Sequence, residues 1–166
     1  MLSKKLEQAL NTQFNYEIES AHIYLAMAGY TSYLGLDGFS NWFIIQYEEE
    51  LFHAKKLMKF IQDKGGKTTV EGFTSPRNEF NSILDAFEET LKHEQEVTAK
   101  FYDLMDIASD EREYATTSFL QWFIDEQVEE ETSVMDIINK IKLVKDAGLY
   151  LLDQEVGKRV FAEPSV

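Results

Sequence analysis

Residues 47–58 read YEEELFHAKKLM, three consecutive glutamates followed, three positions after the last, by a histidine. On a helix Glu50 and His53 share one face, while Glu48 and Glu49 point to other sides. Glu50 lies seven residues from both Phe43 and Leu57, so it falls on the apolar stripe of its own helix. An acid turned toward a core costs free energy unless something offsets its charge. The fold must therefore bring that partner from elsewhere in the chain.

The stripe around Glu50 runs through Phe43, Tyr47, Leu51, Ala54, Leu57, Met58 and Ile61 and predicts a helix over about residues 39–64, stopped by Gly65 and Gly66. Upstream, Leu6, Leu10, Phe14, Ala21, Tyr24, Leu25 and Ala28 predict a helix over about residues 3–34. Downstream, Leu84, Phe87, Leu91, Thr98, Phe101 and Met105 predict one over about residues 80–108. Phe119, Phe123, Val134, Ile137 and Ile141 predict a fourth over about residues 110–145, and Leu149, Leu152, Val156 and Val160 a short fifth over about residues 147–160.

Between the second and third helices, KGGKTTVEGFTSPRNEF carries no helical pattern. A helix of ~27 residues is ~40 Å long, and about fifteen extended residues reach ~50 Å. The connection can thus run the length of the molecule, so that the third helix starts where the second started. The expected architecture is all-α, a ferritin-like four-helix bundle with one long crossover, in a single domain over residues 1–166.

Each stripe has a polar interruption in helical phase. It is Glu17 on the first helix, Glu50 with His53 on the second, Glu94 on the third, and Gln127 with Glu130 on the fourth. Measured from the end where the first helix starts, Glu17, Glu50 and Glu94 lie ~20 Å up, and Gln127 and Glu130 ~24–28 Å. They form one layer. Two carboxylates ~4 Å apart repel by ~4 kcal/mol at an effective dielectric of about 20, and desolvation adds to this. No Lys or Arg on the stripes is placed to neutralise them. Carboxylates with one imidazole make a hard, oxygen-rich site for a pair of metal ions, suited to iron or manganese and open to zinc.

The neighbours separate by phase. Glu48 is expected in water. Glu49, Glu126 and Glu129 flank the layer at its edge, where they could hold a third ion. His22 and His93 fall away from their stripes and are expected at the surface. Tyr24, two turns from Glu17, is either core or a phenol close enough to give an electron, and Trp122 has the same two readings.

Composition bounds the partners. The chain has 30 Asp and Glu against 16 Lys and Arg, a formal charge of −14. Phosphate binding needs clustered bases, so no nucleic-acid partner is expected; cations are the natural counterpart. Cysteine is absent, which excludes disulfides, thiolate metal sites and cysteine nucleophiles. No window approaches the ~18 apolar residues of a membrane span, and Glu7, Gln8, Asn11 and Gln13 stand where a signal peptide needs apolar residues. A cytoplasmic, membrane-free protein is expected.

Four stretches together resemble the bacterial non-haem ferritins: LNTQFNYEIESAHIYLAMA, YEEELFHA, HEQEVT and FLQWFIDEQVEEE. The resemblance covers nearly the whole chain. It implies that Glu17, Glu50 and His53 hold a first iron and that Glu50 bridges to a second held with Glu94 and Glu130, with Gln127 beside it. It implies a third iron at Glu49, Glu126, Glu129 and Glu130, and a tyrosine and a tryptophan near the centre at Tyr24 and Trp122. It further implies a homo-oligomeric cage of 24 chains that oxidises Fe(II) with dioxygen or peroxide and stores Fe(III) as mineral. Haem is not expected, because Phe52 stands where bacterioferritins place their haem-ligating methionine. The acids of the threefold channel in animal ferritins fall on Thr117 and Leu120 here. A rubrerythrin-type peroxidase would usually carry a cysteine-ligated iron domain, which this chain lacks.

Overall fold

The computed structural model describes residues 1–162. Its four helices are α1 (Lys4–Tyr33), α2 (Asp37–Asp63), α3 (Ile83–Asp110) and α4 (Tyr114–Val156), and among the described residues there is no strand. Local chemistry sets the helix starts. Ser3 Oγ accepts the Leu6 N–H, Ser82 Oγ the Asp85 N–H, and the Glu113 carboxylate the Thr116 N–H. Each satisfies a first-turn donor that has no partner inside the helix. Beyond the ends of α1 and α2, Gly35 and Gly65 turn the chain at φ of 74° and 76°, a region glycine enters without a Cβ penalty.

The crossover, residues 64–82, lies along α1. The Glu7 carboxylate accepts the Lys67 N–H at 3.3 Å. Asn11 donates to the Lys67 carbonyl (2.9 Å) and accepts the Thr69 N–H (2.7 Å). Asn15 does the same for the Thr69 carbonyl and the Glu71 N–H, both at 2.8 Å. Farther on, Phe73 packs on His22 and Phe80 on Tyr30. Asparagine side chains thus stand in for the neighbouring strand that extended backbone needs. As the loop advances, its partners advance from Glu7 to Tyr30, so it traverses the bundle as expected and sets α3 parallel to α2.

The core divides in two. One end packs Tyr24, Met27, Phe39, Phe43, Phe87, Val134 and Ile138; the other packs Leu6, Leu10, Leu57, Phe101, Leu120 and Phe123. Burying each such side chain is worth about 1.5–3 kcal/mol. Leu25, assigned to the α1 stripe from its spacing, is 43% exposed; Ala21, Tyr24 and Ala28 fill the inward positions and turn it outward.

The short fifth helix expected after about residue 147 is the last part of α4, which consists of two helical segments meeting at a kink. The break is at Lys145, where φ is 51° and ψ −165°, and the second segment ends at Val156. The chain folds back there: Lys140 Nζ lies 2.7 Å from Glu155 Oε1, although fifteen residues of straight helix would set them ~22 Å apart. After the kink, Leu152 and Val156 join the first cluster, and Asp153 Oδ1 accepts the Phe39 N–H at 2.9 Å. That bond serves the start of α2, whose own N-cap residue, Leu36, has no side-chain bond to give. A Cβ at Gly38 would sit 1.8 Å from the Asp153 carbonyl oxygen, so only glycine permits this docking.

Candidate metal centre

Between the two apolar ends, all four helices turn polar side chains inward. Glu17 and Glu94 are 0% exposed, Glu50 and His53 1%, Gln127 2% and Glu130 5%. These are interior positions, and each acid is on the stripe where its phase put it. His53 Nδ1 stands 3.7 Å from Glu17 Oε2 and 3.7 Å from Glu50 Oε2, beyond hydrogen-bond reach. Glu17 Oε2, Glu50 Oε2 and both His53 ring nitrogens are buried with no hydrogen-bond partner. Buried polar atoms are nearly always satisfied, and these four orphans are all metal-ligand atoms. Glu17, Glu50 and His53 can each present one such atom within 4.8 Å of the others.

The remaining predicted ligands are held by hydrogen bonds. Tyr24 donates its phenol proton to Glu94 Oε1. Gln127 Nε2 donates to Glu94 Oε2 at 3.0 Å and to the Glu94 carbonyl at 3.2 Å. Gln46 Nε2 donates to Glu130 Oε2 at 2.8 Å. Glu50, Glu94 and Glu130 therefore share the layer, and the last two face donors on their own sides. A second compact group is His53, Glu126 and Glu130, so His53 belongs to both groups.

Protonation follows from burial and from this crowding. Burial drives the Glu50 carboxyl well above its ordinary value, His53 opposes this, and the charges of Glu17 and Glu94 add to it. Burial likewise raises Glu94. It pushes Glu130 up to about 8, helped by the charges of Glu94 and Glu49. Burial also disfavours the charged form of Glu17, but interactions with His53, Glu50 and Gln13 outweigh it and lower that carboxyl. On His53, burial is overcome by Glu17 and Glu50, which raise it well above the usual imidazole value. The centre thus holds protons that a cation would displace, since ligands bind metal deprotonated.

At the margin the predictions divide. Glu48 is exposed as expected. Glu126 is half-buried beside His53 and Glu130. Glu129 is exposed and, among the described residues, joins neither compact group. Glu49 is paired with Arg159. Trp122 packs edge-on to His53, ring centroids 5.5 Å apart, and under Lys56.

His93 corrects an expectation. It is 7% exposed, its Nε2 lies 2.8 Å from Ser20 Oγ, and its ring packs against Tyr16 and Tyr24. α3 meets α1 as well as α4, so its buried arc is wider than one stripe. Burial lowers its pKa to about 4. His22 is half-buried under Phe73 and hydrogen-bonds the Ile18 carbonyl.

Two supporting residues escaped the sequence reading. Gln13 donates to Glu17, and Gln46, fully buried, holds Glu130. Each lies one turn before an inward acid, at i−4 of Glu17 and of Glu50, and that spacing was available as a signal. Arg159 had none.

The donor set is carboxylate oxygen with one imidazole, spread over four helices, and it fits hard divalent or trivalent ions. Among the described residues no helix is long and apolar enough to cross a membrane. Residues 7–144 match the Ferritin-like domain family. The chain is 46% identical over 165 residues to the bacterial non-heme ferritin of Staphylococcus aureus (strain USA300), covering 98% of this chain and 99% of that protein. It is 44% identical, with the same coverage, to the bacterial non-heme ferritin of Staphylococcus haemolyticus (strain JCSC1435). Among solved structures it resembles a closed form of the Archaeoglobus fulgidus ferritin engineered by site-directed mutagenesis, at a TM-score of 0.96 and 43% identity over 98% of this chain and 100% of that one. It also resembles the open pore ferritin of Archaeoglobus fulgidus, at 0.95 and 42% over 96% and 99%.

Proposed function

The chain belongs to the ferritin family, whose general function is iron storage with oxidation of Fe(II), and from that premise we propose how its residues carry out that work. Glu17, Glu50 and His53 bind one Fe(II). Glu50 bridges to a second, which Glu94 and Glu130 complete once they turn from Tyr24 and Gln46. Gln127 keeps Glu94 in place. The observation that carries this is the set of four buried ligand atoms without partners around His53.

Holding two ions on one bridging carboxylate makes a two-electron step available to one oxidant. Each Fe(II) gives one electron, and with two protons the pair converts dioxygen to hydrogen peroxide; with peroxide as oxidant, two electrons and two protons yield water. Glu130, its carboxyl pushed up to about 8, loses its proton as the ions arrive. Carboxylate ligation stabilises Fe(III) over Fe(II), which favours the reaction. Tyr24, one hydrogen bond from the second ion's Glu94, is placed to supply a further electron. Glutamates on mobile side chains let Fe(III) leave toward a mineral, where a resident cofactor would stay. A third ion binds at the margin with Glu126, Glu130, Glu49 and Glu129.

The whole chain acts as one unit of a cytoplasmic homo-oligomeric cage, a 24-mer. Light scattering is expected to give a mass near 24 chains; a monomer or dimer would instead favour a di-iron oxidase. Stopped-flow oxidation of Fe(II) tests the centre. The variant E50A/H53A is expected to lose the rapid phase, and wild-type rates in it would defeat the assignment.

A further inference from the structure

Arg159, in the stretch that follows α4, brings a cation to the edge of this centre. Its Nη1 donates to Gln46 Oε1 at 2.9 Å, and its Nη2 donates to the Glu49 carboxylate. Its guanidinium lies 4.7 Å above the Trp42 ring. The Arg159 and Glu49 side chains are only 24% and 15% exposed. The backbone that carries Arg159 is also tied down. Asn41 Nδ2 donates to the Gly157 carbonyl (3.3 Å) and to the Arg159 carbonyl (2.9 Å). A Cβ on Gly157 would stand 2.8 Å from the Gly38 Cα, so the two backbones are in contact.

Among the described residues Glu49 is the one marginal acid in a direct ion pair with a protein cation, while Glu126 feels Lys56 at longer range. Its charge reaches both Glu126 and Glu130, and those two share a compact group with His53. Gln46, gripped by Arg159 at its carbonyl end, donates from its amide end to Glu130. A continuous chain thus runs from the docked C-terminal stretch to an inward acid of the centre.

We propose that Arg159 is a latch on the third cation site: its guanidinium holds Glu49 in place of a metal ion and must swing away before an ion can use that carboxylate. The proposal rests on the reading of the buried centre as the iron-binding pair. The fixed fork of the guanidinium holds Gln46 with one nitrogen and the Glu49 carboxylate with the other, and a second cation on that carboxylate meets it as a like charge. The two inner ions therefore fill first, and the third waits on release of the latch. A cleft lined by Trp42, Asp136, Lys140 and Arg159 gives the side chain somewhere to go.

Calorimetric titration of the assembled protein with Zn(II) tests the latch, because zinc occupies such donor sets without redox chemistry. Wild type is expected to bind two ions tightly per chain and a third weakly. In R159Q the third should bind on the order of tenfold tighter, about 1.4 kcal/mol, with the inner two retained. R159K keeps the charge but loses the fork and the stacking on Trp42, and should fall between wild type and R159Q. N41A frees the tether while leaving the arginine, and should move the third ion the same way by less; it keeps the test open if R159Q misfolds. Equal third-ion affinity in wild type, R159Q and N41A, with two inner ions intact, overturns the latch alone. Failure of wild type to hold two ions overturns the dinuclear reading and the latch with it.

Discussion

The two apolar ends of the bundle and the polar waist between them are built from the same four helices, yet they do opposite things. Leu6 and Leu57 at one end, and Phe43 and Phe87 at the other, are fully buried in apolar clusters, and each contact adds stability. At the waist, Glu17, Glu50, Glu94 and Glu130 are also buried, but burial there disfavours charge and raises the carboxyls of three of the four above their ordinary value. The ends hold the helices in place so that the waist can keep a charge arrangement it would not choose alone. Stability and chemistry are separated along the bundle axis, and substitutions should separate them too.

The largest effect is expected at the waist and in activity. E50A/H53A removes the carboxylate proposed to bridge and the one imidazole of the proposed ligand set, and should slow Fe(II) oxidation on the order of 10²-fold or more, while the metal-free protein still folds. At an end the pattern should reverse. L57A should cost about 2–5 kcal/mol in denaturant unfolding and leave two ions bound per chain; a variant that stayed folded but lost its ions would show that the ends also shape the site. Replacing the waist triad with apolar residues of similar volume, as in E17L/E50L/H53F, should leave metal-free stability unchanged or raise it by about 1–4 kcal/mol. A clear loss would mean that the triad stabilises the empty bundle.

The smallest effect is in pH. Glu130, pushed up to about 8, stays protonated in the folded chain where the unfolded chain has already lost the proton. The folded state then binds more protons, so metal-free stability falls as pH rises toward 8. His53 and Glu50, both raised, act with the same sign. His93, lowered to about 4, acts oppositely, but only between about 4 and the ordinary imidazole value of roughly 6.5. Thermal melts between about pH 6.5 and 8.5 therefore isolate the waist. The slope should be negative in wild type and shallower in E130Q; an unchanged slope in E130Q would remove Glu130 from the account.

The sequence carried the waist because phase and height are local quantities: Glu17, Glu50, His53, Glu94, Gln127 and Glu130 each interrupt an otherwise apolar stripe. The crossover was legible from length alone. His93 was misread because a stripe assumes one buried face, and α3 packs against two neighbours. The break at Lys145 was legible, because the fourth stripe ends there and a short separate one follows, but nothing local told that the chain reverses across it. Arg159 and Asp153 act on α2 from more than a hundred residues away, and no periodicity relates such positions. Pairing by tertiary docking is what the sequence pattern leaves out.

The central claim is that two ions share Glu50 inside one bundle. Crystals soaked anaerobically in Fe(II), with diffraction recorded at the iron absorption edge, test it most directly. Two anomalous peaks are expected per chain, about 3.5–4 Å apart, one against Glu17, Glu50 and His53 and the other against Glu50, Glu94 and Glu130. A single peak, or iron only at the outer acids with Glu50 untouched, would contradict it.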